Sequence, residues 1–228
     1  CYAVNNCARF MSSPTKEHMN AAKRILRYLK CTPKYGIVLG GGEPILTCFV
    51  DSAYATDETR RRSSTGYICY LGTSPISWCS KLQKSVALST TESEYMAMCD
   101  ASKDVVWLRG LLKALQEEQR RPTVVNQDNV GAIYVANNST FHKRTKHIDV
   151  RYHYTRDLLE ERIIHVNFCP TNFQIADILT KATRPGIFKD LRQYLVKTHW
   201  DEGNVENLYD KGLSVGIQKE FDLSYMVY

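Results

Sequence analysis

Three strand-like runs follow one another closely in this chain, and their spacing limits the folds it can adopt. They cover residues 45–52, 64–71 and 75–80. Parallel neighbours need a long crossover connection, and these short gaps leave no room for one. The runs therefore predict a meander of three antiparallel strands joined by hairpins.

The pattern changes after this meander to an alternation of helices and strands. Helices are predicted at residues 91–115 and 130–136, within 147–160, at 172–182 and within 187–196, with strands at 123–128 and 163–169. Side chains such as Trp107 are expected in the core. A meander followed by alternating helices and strands is typical of an α/β domain with a mixed five-stranded sheet flanked by helices.

The N-terminal segment is predicted to be helical. In SSPTKEHMNAAKRILRYLK, Ser13 suits the N-cap and Pro14 the first helical position. Met19, Leu26 and Leu29 belong to an apolar face. The run LGGGEP then interrupts the periodicity and is interpreted as a hinge. We expect a connection segment at 1–42, the sheet domain at 43–183, and a C-terminal helix with a divergent tail at 184–228.

Composition narrows the functional classes only mildly. The formal charge of +6 permits a polyanionic partner without requiring one. The eight cysteines form no CxxC pair, which favours buried thiols in a reducing compartment over a disulfide framework. No apolar run is long enough for a membrane span, so no membrane partner is expected. The first residue is Cys1 rather than Met, which suggests a fragment of a longer protein.

Four acidic residues fall at positions where side chains from distant parts of the sequence can meet. Asp51 ends the first strand, Glu94 lies in the first turn of the long helix, Asp128 ends the fourth strand, and Asp177 opens a late helix. Taken singly, each is better explained as a turn residue or a helix N-terminal acid, but for all four together on this order of elements those explanations become weaker. Clustered carboxylates repel one another, and divalent cations with oxygen ligands relieve that repulsion.

Several long motifs resemble one known family. VDSAYATDETRRRSSTGYICYLGTSPISWCSKLQKSVALSTTESEYMAM, DNVGAIYVANNSTFHKRTKHIDVRYHYTRDLL and QIADILTKA are similar to the RNase H domain of copia-type LTR-retrotransposon Pol polyproteins. MSSPTKEHMNAAKRILRYLKCTPKYGIVL resembles the segment that joins the reverse transcriptase thumb to that domain. The similarity covers residues 2–196.

The resemblance implies an RNase H-like fold and an endonuclease that hydrolyses the RNA strand of RNA–DNA hybrids. Its active site would be Asp51, Glu94, Asp128 and Asp177, holding two Mg²⁺ ions, with Mn²⁺ as an alternative. Asp51 would be shared by both ions, with Asp177 on the water-activating side. Glu94 is preferred over Glu92 because EYMA matches the family pattern. The implied partners are the hybrid and the reverse transcriptase portion of the same polyprotein. The implied location is a cytoplasmic virus-like particle, with the nucleus as a second possibility.

Basic residues supply candidates for nucleic-acid binding. These are Arg60, Arg61 and Arg62, together with His147 and Arg151 in KRTKHIDVRYHYTR. An ordinary solvated turn explains the three arginines equally well, and a basic helix surface is the favoured explanation for His147 and Arg151. Many cellular RNases H carry a mobile histidine before the last catalytic acid, whereas the corresponding loop here, CPTNFQIAD, has none.

Two other functions remain open from the sequence. A catalytically silent remnant could bind nucleic acid or tether a polymerase. An integrase-like transferase would need two aspartates followed by a late glutamate. This chain places its glutamate second and an aspartate last, which favours RNase H.

Overall fold

The structure, a computed structural model, describes residues 1–138 and 149–198, without the side chains of 149–153. His147 and the tail beyond residue 198 lie outside the described residues. The helices are α1 (Tyr2–Ala8), α2 (Lys16–Cys31), α3 (Thr90–Ala114), α4 (Val130–Asn137), α5 (Asp149–Glu160), α6 (Asp177–Thr180) and α7 (Pro185–Arg192). The strands are β1 (Tyr35–Gly36), β2 (Leu46–Ala53), β3 (Ser64–Leu71), β4 (Ser74–Leu82), β5 (Thr123–Gln127), β6 (Ile164–Phe168) and β7 (Lys197–Thr198).

Strands β2 to β6 form the predicted mixed sheet in the order β4-β3-β2-β5-β6. The pairs β2–β3 and β3–β4 are antiparallel, while β2–β5 and β5–β6 are parallel. The α/β fold class with helices flanking a five-stranded sheet is therefore confirmed. Because β2 and β5 run in the same direction, the residues at their carboxyl ends share one edge of the sheet.

Each face of the sheet has its own hydrophobic core. Leu46, Cys48 and Val50 of β2 pack in a cluster with residues of α3, α4 and α5. Phe49 packs on the other face, in a cluster that includes Leu179 of α6. Since side chains alternate along a strand, Asp51 points to the same face as Phe49.

The helix α2 begins differently from the prediction. Thr15, rather than Ser13, is the N-cap. His18 Nδ1 accepts a hydrogen bond from the Thr15 amide at 3.0 Å, so a reciprocal cap forms two residues later than expected. The apolar face is present, but its residues Met19, Leu26 and Leu29 are exposed rather than packed.

The chain before α6 also departs from the prediction. In place of one helix over 172–182, a 3₁₀ turn at Thr171–Phe173 precedes the four-residue α6. The buried Gln174 side chain donates to the Asn126 carbonyl and accepts from the Ala176 amide. One of these bonds is long-range and the other is local, and together they satisfy backbone groups without a continuous helix.

One prediction about burial is wrong and another is confirmed only in part. Trp107 is 60% exposed, because it lies on the outer side of α3. Of the eight cysteines, Cys48, Cys69, Cys99 and Cys169 are buried, whereas the other four are exposed or half-buried. All eight are free thiols.

The N-terminal segment is attached to the C-terminal part of the described chain. Strand β1 pairs with β7. Arg192 donates to the Tyr35 hydroxyl at 2.8 Å and its guanidinium lies 4.3 Å from the centre of that ring. The predicted hinge is also anchored, since the Gly40 amide donates to Ser74 Oγ at 2.7 Å. The expected domain boundaries at 42 and 183 stay predictions.

Candidate metal centre

Three carboxylates converge at the shared edge of β2 and β5. Asp51, Glu94 and Asp128 each place an oxygen within 4.8 Å of the others. Asp51 lies inside β2 rather than at its end, since the strand continues to Ala53. Glu94 starts the second turn of α3 rather than its first, and Asp128 follows β5 directly. Three distant parts of the sequence thus meet in one cluster.

The two acids near the start of α3 have different roles. Glu92 lies in the first turn, and its Oε2 accepts a hydrogen bond from the Leu88 amide at 2.9 Å. Glu94 belongs to the carboxylate cluster instead. The geometry therefore separates a helix-capping acid from a candidate ligand, as the EYMA pattern suggested.

Gln127 connects two members of the cluster. Its Nε2 donates to Glu94 Oε2 at 3.2 Å, while its Oε1 accepts from the amides of Asp128 and Asn129 at 2.7 and 3.0 Å. Its side chain is completely buried. One amide group therefore fixes both the Glu94 side chain and the backbone that carries Asp128.

The loop before α6 contributes a further contact. Thr171 Oγ1 donates to Asp128 Oδ2 at 2.8 Å. Thr171 belongs to the CPTNFQIAD loop, which lacks the histidine of many cellular enzymes. Sequence reasoning missed both Gln127 and Thr171. The sequence shows that Gln127 precedes Asp128 and that Thr171 lies in the loop before Asp177. Only the fold shows which atoms these two side chains contact.

Asp177 lies on the other side of Asp51. Thr180 Oγ1 donates to Asp51 Oδ2 at 2.5 Å. Lys181 Nζ lies 2.7 Å from Asp177 Oδ1 and 4.0 Å from Asp51 Oδ2. Sequence reasoning missed Thr180 and Lys181 as well, although both follow Asp177 at one helical turn.

A glycine makes the approach of α6 to the sheet possible. Gly66 of β3 pairs with Asp51 across the ladder. A Cβ at Gly66 would meet Thr180 Cγ2 at 2.6 Å and Leu179 Cβ at 2.8 Å. The absence of a side chain there lets α6 bring Asp177 and Thr180 beside Asp51.

Two carboxyl groups of the cluster, Asp51 and Glu94, are difficult to ionise without a cation. Burial raises the pKa of Asp51 from its ordinary value of 3.8 to about 8, and the Asp177 carboxylate adds to the rise. Burial also raises the pKa of Glu94 from 4.5 to about 9, with further contributions from Asp51 and Asp128. Such shifts are typical of carboxylates that share a site and of functional sites.

The donor set fits a divalent metal site. All three clustered groups offer carboxylate oxygens, which hard cations such as Mg²⁺, Mn²⁺ and Ca²⁺ prefer. A cation would also offset the burial and the mutual repulsion that raise the pKa values of Asp51 and Glu94. The cluster can therefore hold a divalent ion by the chemistry of its own residues.

The structure gives fewer contacts for the basic residues predicted to bind nucleic acid. Arg60, Arg61 and Arg62 lie in the connection between β2 and β3, which begins three residues after Asp51. Arg62 Nε pairs with Asp57 Oδ2 at 3.4 Å, whereas Arg60 and Arg61 are exposed. Arg151 lies in α5 with its side chain outside the description, and His147 lies outside the described residues.

Sequence relatives decide the family of the chain. It is 45% identical over 181 residues to the retrovirus-related Pol polyprotein from transposon RE1 of Arabidopsis thaliana, which covers 79% of this chain. It is 43% identical over 198 residues to the Pol polyprotein from transposon TNT 1-94 of Nicotiana tabacum, which covers 87%. The chain belongs to the retrovirus-related Pol polyprotein family. It spans 12% and 15% of the length of these two relatives. No family model matches it.

Solved structures give a weaker likeness. LC11-RNase H1 in complex with an RNA/DNA hybrid is 12% identical, with a TM-score of 0.44 over 59% of this chain and 93% of that chain. The assignment to the Pol family rests on the sequence relatives. The observed sheet order fits the RNase H domain predicted from the resemblance. Among the described residues, no helix combines the length and apolar character needed to cross a bilayer.

Proposed function

We propose that this chain is the ribonuclease H portion of a copia-type transposon Pol polyprotein. It hydrolyses the RNA strand of RNA–DNA hybrids with two divalent ions, Mg²⁺ or Mn²⁺. The observation that carries the proposal is the convergence of Asp51, Glu94 and Asp128 within 4.8 Å of one another in a chain of this family. Asp177, beside Asp51, completes the proposed ligand set.

The residues of the site have two proposed roles, namely holding the ions and orienting the ligands. When bound, the ions would activate water and neutralise the charge that develops on the phosphate during hydrolysis. Asp51 neighbours both Asp177 and the other two acids, which suits a ligand shared by both ions. Gln127 and Thr171 orient Glu94 and Asp128. Such supporting hydrogen bonds fix the geometry that a metal site needs.

Basic side chains near the site would hold the substrate by its phosphates. Arg60 and Arg61 are exposed in the connection that follows β2, at the end of the strand that carries Asp51. Phosphate contacts position a nucleic acid without reading its sequence. Recognition of the hybrid would then depend on backbone charge and helix shape.

The reverse transcriptase portion of the same polyprotein is the proposed protein partner. Met19, Leu26 and Leu29 on α2 are each more than half exposed. An exposed apolar face of this kind typically marks an interaction surface. The relatives extend far beyond the length of this chain, and their additional sequence is the proposed source of a segment that covers this face. The location in a cytoplasmic particle or the nucleus stays a proposal.

The test is cleavage of an RNA–DNA hybrid labelled on both strands, with Mg²⁺ or Mn²⁺. Wild type is compared with Asp51→Asn, Asp128→Asn and the control Asp190→Asn, which alters an exposed acid on α7. We expect wild type and Asp190→Asn to cut only the RNA strand. The two site variants should bind the hybrid without cutting it.

Other outcomes would redirect the proposal. Hybrid binding without cleavage by folded wild-type protein would favour a silent nucleic-acid-binding remnant. Equal cleavage by Asp128→Asn and wild type would contradict the assigned site. Cutting of double-stranded DNA would contradict the substrate class.

A further inference from the structure

One basic side chain lies within the acid cluster itself. Lys181 Nζ is 2.7 Å from Asp177 Oδ1 and 4.0 Å from Asp51 Oδ2. Its side chain is 43% exposed, while Asp51 is almost completely buried. A flexible ammonium group thus reaches from solvent into the side of the site formed by Asp51 and Asp177.

The two sides of the site are stabilised by different chemistry. Glu94 and Asp128 accept hydrogen bonds from neutral groups, the Gln127 amide and the Thr171 hydroxyl. These bonds orient the carboxylates without neutralising them. Asp177 is instead paired with a full positive charge. On the first side the carboxylates are held by neutral groups, whereas on the second side a positively charged group already lies beside Asp177.

A simple helix-surface ion pair does not account for Lys181. Exposed pairs of opposite charge four residues apart on a helix contribute little to stability. Lys181 also approaches Asp51, which belongs to a different element and is buried at the centre of the cluster. The contact therefore places the ammonium where a cation shared by Asp51 and Asp177 would bind.

We propose that Lys181 is an internal cation that occupies the Asp51–Asp177 side of the site and must leave before a second metal ion can bind there. This inference rests on the proposed two-ion function. It makes the two ion positions unequal. The Asp51–Glu94–Asp128 side is open to the first ion, and the second ion competes with the ammonium. The partial exposure of Lys181 provides a route into solvent when it is displaced.

The test measures Mn²⁺ binding to substrate-free protein by isothermal titration calorimetry. Lys181→Met removes the charge and keeps the length of the side chain, while Lys181→Arg keeps the charge. Lys189→Met is the matched control, since Lys189 is exposed on α7. We expect Lys181→Met to bind an additional ion or to bind Mn²⁺ at least ~10-fold more tightly, because one competing charge is removed. Lys181→Arg and Lys189→Met should resemble wild type.

An unchanged number of ions and an unchanged Kd in Lys181→Met would overturn the inference, as would weaker binding. Circular dichroism checks folding, and Lys181→Gln replaces the Met variant if that variant fails to fold. Hybrid cleavage by wild type is measured separately. Active wild type with unaltered Mn²⁺ binding in Lys181→Met would reject the role of Lys181 alone. Inactive wild type with an added ion in that variant would reject the proposed function alone.

Discussion

The carboxyl edge of the sheet and the helix α2 both depart from the usual distribution of polar and apolar groups. The sheet edge buries acidic side chains, whereas α2 exposes apolar ones. At the sheet edge, Asp51 and Glu94 are only 2% and 6% exposed. On α2, Leu26 and Leu29 are 64% and 57% exposed. Charged residues are rarely buried unless paired, and large apolar patches are rarely left open on monomers.

The comparison shows that the sheet edge is short of positive charge, whereas the apolar face of the helix lacks a packing partner within the described part of the chain. The buried acids have hydrogen-bond donors and one lysine, but too few positive charges for four carboxylates. The helix has a regular apolar face with no buried residue. The first region therefore calls for cations and the second for a polypeptide surface. Departures of this kind from simple folding rules are expected at functional sites.

The largest expected effect comes from Asp51→Asn, which breaks the cluster at its centre. Loss of a ligand should reduce hybrid cleavage by more than the ~10–100-fold typical of residues that only support ligands. The metal-free fold should be retained or stabilised, because the variant removes an acid that burial and repulsion by Asp177 make costly to ionise. Single-turnover cleavage and thermal melting measure both effects. Cleavage close to the wild-type rate would contradict the role of the cluster.

Gln127→Leu tests whether the buried amide orients the acids. We expect cleavage to fall ~10–100-fold, as for other groups that support metal ligands. The free energy of unfolding should fall by ~1–3 kcal/mol, because the amides of Asp128 and Asn129 lose their acceptor.

The matched control for this variant is Gln119→Leu. Gln119 also bridges backbone groups, accepting from the Leu46 amide and donating to the Pro44 carbonyl. It should lose stability with little change in the rate of cleavage per folded molecule. Equal loss of activity in both variants would assign Gln127 a purely structural role.

Gly66→Ala tests the close approach of α6 to β3. The added methyl group would collide with Thr180 and Leu179, and overpacking of this kind costs ~1–3 kcal/mol. Cleavage should also fall, because α6 carries Asp177. Gly110→Ala on α3 meets no atom within 4 Å and should stabilise the helix by ~0.5–1 kcal/mol. Chemical denaturation of both variants measures the contrast, and similar stabilities would argue against the packing.

The raised pKa values of Asp51 and Glu94 predict how stability depends on pH. Below pH ~4 both groups are protonated in the folded and unfolded states, so they impose no penalty. As the pH rises toward 8–9, the unfolded state ionises freely while the folded state resists. The metal-free protein should therefore melt at a lower temperature at pH 8 than at pH 5.

Added Mn²⁺ should restore much of the loss at pH 8, because it stabilises the ionised carboxylates. Asp51→Asn should show a smaller dependence on pH. Differential scanning calorimetry across this range measures both. A metal-free melting temperature that rises steadily to pH 8 would contradict the burial of ionisable acids at this edge.

The smallest expected effect comes from replacing Met19, Leu26 and Leu29 with Gln. Each exposed substitution should change the free energy of unfolding by at most ~0.5 kcal/mol, since no packing is lost. Leu112→Ala, at a buried position on α3, should lose ~2–5 kcal/mol. Urea denaturation compares the two. A large loss from the α2 variant would show that its apolar face is covered within this chain.

Much of the fold was predictable from local patterns. The boundaries of β3 agree with the prediction, and those of α3 differ by one residue at each end. Apolar periodicity and turn residues carried these predictions, because both elements bury regular patterns. The region around α6 was wrongly predicted as one continuous helix. The side chain of Gln174 donates a hydrogen bond to the distant Asn126 carbonyl, and no local sequence pattern reveals that bond.

The site was predictable in its acids but not in its supports. Asp51, Glu94 and Asp128 stood out because the strand order placed them together, and the family resemblance selected Glu94 over Glu92. Lys181 remained unnoticed because a lysine beside an aspartate is an ordinary helix-surface pattern. Its meaning depends on the approach of α6 to β2, which Gly66 permits and which only the folded structure shows.

The most direct test of the central claim is anomalous X-ray diffraction from crystals of the protein soaked with Mn²⁺. The claim is that Asp51, Glu94 and Asp128 form a cation site rather than a cluster of protonated acids. The account predicts an anomalous peak within coordination distance of all three carboxylates, and its loss in Asp51→Asn crystals. A wild-type crystal with no peak at this position, under conditions in which the protein cleaves hybrid, would contradict it.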